Sequence, residues 1–285
     1  MRKSLMLILL LPALFMISCE DPLPSDYKPD VIVEAFLIVD KPIENIVLMR
    51  TQPLNTKFNY DSSLITKAKV IISTESDSWE LSFRYGEGPG WYFPDTTVKI
   101  KPETRYFFKA ILDDNTVLTG ETTTPKRFKW IIPLKDYMQY PKDSIGLPFI
   151  DTLVFSWEAT PGTEYYLIKS KCLDTLNYGK YLTPPTSELN RRVFLENARE
   201  EYYLDDSAWG FIPSTITPIV WQFFKWFGKH KASVYSPDVN MLKWFQQYMI
   251  KGNYDPLLGC IKGGKGCFGS ASEITKEFFI YKNQP

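Results

Sequence analysis

Along the first half of the chain, apolar and polar residues alternate with a period of two. Trp79, Leu81, Phe83 and Tyr85 are interleaved with Ser78, Glu80, Ser82 and Arg84, and Tyr106, Phe108, Ala110 and Leu112 make a second such series. Successive strand side chains point to opposite faces, so this pattern predicts strands with one wet side. Residues 31–39 (VIVEAFLIV) are apolar and β-branched enough for a buried strand, Asp40-Lys41-Pro42 is turn chemistry, and Ile46-Val47-Leu48 begins the return. Val70 to Ser73 adds a strand, and Asp113-Asp114-Asn115 turns the chain into 116–122. Short strands at this spacing, punctuated by Gly, Pro and Asp, predict an immunoglobulin-like or transthyretin-like β-sandwich over residues 30–124.

Residues 125–285 read as a second, C-terminal β-rich domain. LVFSWE (153–158) and YYLIKS (165–170) flank a Pro161-Gly162 turn, the opening hairpin of a fibronectin-like module. Ala232 to Tyr235 reads as a strand, and 189–203 as a mixed stretch compatible with helix. Ser236-Pro237-Asp238 is a helix start, with Ser capping, Pro in the first turn and Asp against the positive dipole end. Leu242, Phe245 and Met249 recur at helical spacing and Gly252 stops the run, giving a helix near 237–250. The expected fold class is therefore mainly β, with one or two added helices.

The N-terminus follows neither period. Arg2 and Lys3 precede an apolar run from Leu5 to Ile17, too short to span a bilayer, that ends in Met16-Ile17-Ser18-Cys19. A Cys directly after a small residue resembles a bacterial lipobox, with Met16 where Leu is usual. Residues 1–18 are then a signal peptide, Cys19 is the lipidated residue, and 19–29, rich in proline, is a stiff tether. Balanced charge, 33 basic against 33 acidic residues, and the absence of a basic stripe argue against nucleic acid as a partner. With Cys19 committed to lipid, proximity makes Cys260 and Cys267 the candidate disulfide, with Cys172 left as a buried thiol.

The catalytic inventory is thin. Gly259 to Lys265 has most of a phosphate-binding loop, but Gly266 stands where a hydroxyl must meet magnesium. Gly264-Lys265-Gly266-Cys267-Phe268-Gly269 is a lone G-x-G-x-x-G without the acid that should follow, so a tight loop beside a closing strand is the better reading. His230 is the only histidine, and Lys225, Lys229 and Lys231 around it suggest a solvated face. One His and scattered Cys supply no zinc cluster, Asp113-Asp114-Asn115 is explained as a turn without calcium, and no cofactor is expected. Glu158, Asp205 and Asp206 keep a two-carboxylate hydrolase open. Trp221, Phe223, Phe224, Trp226 and Phe227, with Trp244, Phe245 and Tyr248 beyond, are either core or an exposed patch for stacking on a ligand; Trp221, Trp226 and Trp244 are the candidate contacts.

Several weak motifs in a fixed order carry a family resemblance. They are the lipobox, the opening VIVEAFLIVDKP, Ala68-Lys69-Val70-Ile71-Ile72, Gly90-Trp91-Tyr92, Phe155-Ser156-Trp157 before Pro161-Gly162, the capped helix after Ser236, and Gly263 to Gly269. Together they resemble the Bacteroidota outer-membrane lipoproteins classed as domain of unknown function 4249, with a departure at 254–260. The resemblance implies a non-catalytic lipoprotein held to the outer membrane through Cys19, with a TonB-dependent receptor as partner; the alternative, carried by the aromatic residues, is a surface protein that binds a glycan, with a peptide as the other ligand class. Glu20 and Asp21 faintly resemble an acidic surface-export signal that Pro22 cuts short, so both faces of that membrane stay open.

Overall fold

A computed structural model describes residues 27–53, 56–85, 88–142, 153–200, 205–247 and 259–282. Cys19, most of the tether, Tyr248, Met249 and Gly252 lie outside the described residues. The strands begin with β1 (Val31–Ile38), β2 (Val47–Arg50), β3 (Ala68–Ser73), β4 (Ser78–Glu80), β5 (Ser82–Arg84) and β6 (Gly90–Tyr92). They continue with β7 (Arg105–Leu112), β8 (Val117–Thr123), β9 (Trp130–Ile132), β10 (Tyr137–Gln139), β11 (Val154–Trp157) and β12 (Tyr166–Cys172). The last are β13 (Ser207–Ile212), β14 (Ile216–Pro218), β15 (Gly228–Pro237), β16 (Ile261–Lys262) and β17 (Lys265–Tyr281). Among the described residues two α-helices accompany them, α1 (Tyr60–Ser63) and α2 (Val239–Gln246). The protein is mainly β.

The main sheet runs β13-β12-β15-β17-β1-β2, with β10 added on β17. A five-stranded sheet, β16-β8-β7-β3-β4, packs against its β1–β2 end in a sandwich-like arrangement. Period-two alternation in β1 and β7 buries Val33, Ala35 and Leu37 from one sheet and Tyr106, Phe108 and Ala110 from the other. At the other end, β14-β11-β9 covers a second core built on Trp157, Tyr140, Trp221 and Phe227.

β17 serves both cores. It pairs in parallel with β1 from Ile32↔Lys265 to Ile38↔Ala271, and antiparallel with β15 from Pro237↔Ala271 to Gly228↔Ile280. Phe268 enters the first core beside Phe108, while Phe278 and Ile280, at positions of the same strand parity, enter the second. Ser270 and Ser272 lie between them, donating to the carbonyls of Thr123 and Pro125 where the chain leaves the first sandwich.

Close packing at the start of β17 explains the glycine-rich tail. Gly266 has φ +103, and a Cβ there would lie 2.0 Å from the Val33 carbonyl oxygen. Gly263 has φ +83, with the Val117 oxygen 2.3 Å from the same virtual atom. Only glycine lets the backbones approach this closely. No helix opens after the motif, and Lys265 forms an ion pair with Asp30 at 2.6 Å.

Five local expectations are corrected. β11 and β12 form no hairpin with each other: β11 pairs with β9 and β14, while β12 lies between β13 and β15, because the turn at Pro161-Gly162 carries the chain from one sheet to the other across the second core. The 78–85 series is not one strand: β4 pairs with β3 and β5 with β6 in separate sheets, and Tyr85 is left exposed. Ser236 and Pro237 end β15, because pairing with β17 keeps them extended, and Asp238 caps α2 instead. The described part of the 189–203 stretch, 189–200, forms no α-helix; isolated bridges join Leu189 to Asn177 and Arg192 to Trp226. His230 is not on a solvated face. It is 1% exposed, since strand alternation turns it inward from Lys229 and Lys231.

Candidate functional site

α2 lies on the outer face of the main sheet, where Met241 packs with Leu167 and Ala271. Asp238 fixes it there: Oδ1 accepts from the Met241 and Ser270 amides at 2.9 and 3.0 Å, and Oδ2 from the Thr122 hydroxyl at 2.6 Å. Burial raises the Asp238 pKa against these bonds. Asn240 adds donations to the carbonyls of Glu121 and Phe268.

Beside the helix, the same face carries half-buried rings. Trp209 stacks on Tyr235 at 5.6 Å and meets Phe245 at 5.2 Å, and Phe245 meets Phe36 at 6.2 Å. The Lys169 ammonium sits 4.8 Å from the centre of the Trp209 ring, and burial lowers its pKa. Glu273 hydrogen-bonds Tyr235, whose pKa is raised mainly by burial, and also pairs with Lys41 at 3.6 Å. Rings flanked by a poorly solvated cation and a shielded carboxylate have the chemistry on which a ligand could stack, and they form an aromatic platform on this face. Around the edge of β8, a cleft of about 530 Å³ is lined by Phe107, Lys109, Thr119, Glu121, Asn240 and Lys262.

The three tryptophans singled out as candidate contacts are not brought together here, although Phe245 of the same sequence set belongs to the platform. Trp221 is 1% exposed and belongs to the second core, stacked edge-on against Tyr140, so it cannot meet a ligand. Trp226 is half-buried under the Arg192 guanidinium, 5.6 Å from its ring centre. Trp244 is half-buried on α2. Trp209 was missed although Trp209 and Phe211 alternate with Ala208 and Gly210, which is the strand signal.

Two buried residues imitate a catalytic dyad. Cys172 and His230 are register partners on β12 and β15. Burial pushes the Cys172 thiol up to about 11 and His230 down to about 4, so both are neutral near pH 7. A nucleophilic pair needs the opposite shifts. His230 Nδ1 is bonded to the Gly228 carbonyl, and its ring stacks on Phe278.

Cys260 and Cys267 are free thiols in hydrogen-bond contact, and no disulfide joins them. The Phe268 amide donates to Cys260 Sγ at 3.0 Å. Of the candidate acids, Asp205 keeps a lowered pKa despite burial, through Ser207 and Lys225, which is wrong for a general acid. Asp206 pairs with Lys171, and Glu158 is exposed. Among the described residues, no three His, Cys, Asp or Glu side chains are grouped to hold a metal.

A family model described as Domain of unknown function (DUF4249) matches residues 19–277, from Cys19 through most of β17. The chain belongs to this family. No curated protein matches the sequence.

Proposed function

We propose that this chain is a non-catalytic lipoprotein, anchored to an outer membrane through acylated Cys19, that assists a TonB-dependent receptor by capturing ligand or binding the receptor. The segment from Arg2 to Cys19 carries the reading, because it combines a charged start, a short apolar run and a thiol after a small residue. Its supports are a family match that begins at Cys19, and Tyr27 and Asp30 fastened to Thr51 and Lys265, which pass any pull on a tether into β1 and β17. Among the described residues no helix is long and apolar enough to cross a membrane.

Metabolic labelling with palmitate, followed by membrane fractionation, tests the anchor. Label and membrane retention are expected, and both should vanish in Cys19→Ala. Purification of the tagged protein from its native membrane should recover a TonB-dependent receptor. Turnover of a glycan or peptide by the isolated protein, abolished by changing one acid, would sink the non-catalytic reading.

A glycan-binding role is the second reading, favoured by the half-buried Trp209 and Tyr235 rings beside Lys169. On a glycan array the intact protein would then bind, and Trp209→Ala would not.

A further inference from the structure

We infer that the end of the molecule where β1 begins docks on the lipid surface itself, so that the protein meets the membrane with its folded body as well as its anchor. The inference rests on the anchored reading above and adds the surface that faces the bilayer.

The chain between anchor and body is short. Residues 19–26 precede Tyr27, whose hydroxyl donates to Thr51 at 2.6 Å, and Asp30 is bonded to Thr51 and Lys265. Fully extended, eight residues reach about 28 Å, so the body cannot lie farther than that from the headgroups.

Several elements finish at this same end. Val31 pairs with Arg50, which is joined to Asp114 in the β7–β8 turn at 3.3 Å. Gly263 and Gly264 of the β16–β17 hairpin lie against the backbone oxygens of Val117 and Val31. Gln52, just past β2, bonds Asn59, so the loop around Phe58 lies at this end too.

Large apolar side chains are exposed there: Phe58 by 62%, Val117 by 45% and Tyr27 by 40%. Lys28, Lys57, Lys67 and Lys262 are exposed around them. Asp30 and Asp114 are occupied by Lys265 and Arg50, Asp61 and Asp113 lie nearby, and the tether itself carries Glu20, Asp21 and Asp26, so the lysines are balanced by acids and the exposed apolar side chains carry the contact. Isolated exposed rings suit the headgroup layer, where aromatic side chains settle, and lysines beside them can reach lipid phosphates. β17 meanwhile extends about 50 Å in contour from Lys265 to Tyr281 and carries the second core away from the lipid.

The test is hydrogen–deuterium exchange on the acylated full-length protein, reconstituted in phosphatidylethanolamine–phosphatidylglycerol liposomes and compared with soluble Cys19→Ala. Amides of 27–30, 56–60 and 114–118 should exchange several-fold more slowly on liposomes, with no change at 130–132 or 215–217. Replacing Tyr27, Phe58 and Val117 together by serine should abolish that protection while palmitate stays attached. Acylated protein whose exchange is the same as in the soluble form overturns the docking alone. Protection at 130–132 or 215–217 instead, or at every site through pairing of two copies, also overturns it. A chain carrying no acyl group, seen by intact mass, overturns both the anchored reading and this one.

Discussion

His230 sets an acid limit on stability. Its folded pKa of about 4, lowered by burial from 6.5, means that the unfolded chain takes up a proton first as pH falls. Stability from this site is fully present above pH 6.5 and is lost as pH drops toward about 4. The full shift corresponds to about 3 kcal/mol. Denaturant titrations at pH 7 and pH 4.5 should show that loss, and His230→Phe should flatten it. The thiols make a second residue-scale prediction. Burial raises the Cys267 pKa strongly, whereas hydrogen bonding from Cys267 lowers that of Cys260. The Cys260 thiolate should therefore attack oxidised glutathione first, releasing one reduced glutathione, and Cys267 should then displace the second from the mixed disulfide to close a Cys260–Cys267 bond, leaving Cys172 reduced. Peptide mapping with a glutathione adduct that stays on Cys260 would reject this.

Asp238 and Gly266 decide how elements join. Asp238 links the start of α2 to β8 and β17, so Asp238→Ala removes a helix cap and leaves two amides short of an acceptor, with the Thr122 hydroxyl kept only on Ser270 Oγ at 2.8 Å. A loss of about 2–4 kcal/mol is expected, read from the urea midpoint. Asp238→Asn keeps an acceptor and should cost less. Because burial raises the Asp238 pKa, its contribution is greatest below the ordinary carboxylate range and declines as pH rises through the folded value. Gly266→Ala would force a Cβ against the Val33 backbone, 2.0 Å from its oxygen, where no flexible side chain can give way. That variant should be recovered only as unfolded or aggregated protein, judged by circular dichroism.

At the scale of the molecule, β17 makes the two cores depend on one another. Residues 30–124 expressed alone would lack Phe268, the parallel partner of β1 and the β16 edge of the five-stranded sheet. They should stay largely unfolded by amide dispersion in NMR, and adding a peptide of 259–282 should restore structure in part. Thermal unfolding of the intact protein should be a single transition by both calorimetry and circular dichroism. Two well-separated transitions would show that β17 does not couple the cores.

Local patterns gave several strands, although the alternating series at 78–85 breaks into β4 and β5, which pair in different sheets. β1, β3 and β7 were legible as strands because strand periodicity and turn residues act over a few positions, whereas β11 and β12 were legible only as separate strands, since their pairing partners lie elsewhere in the chain. The balance between core and surface was not legible for Trp221, Trp226 or His230, because a dense run of apolar and basic residues gives no sign of which face is covered. The lipobox reading and the case against a phosphate loop likewise rest on contiguous residues. Partners far apart in sequence were decided only by the tertiary structure: Val33 against Gly266, Thr122 against Asp238, Trp209 against Tyr235. The sequence alone determined a β-rich chain with a signal-like start, since each of those properties resides in neighbouring residues. Folding decided that the last strand runs beside the first, because a parallel pair between distant segments leaves no periodic trace in either one.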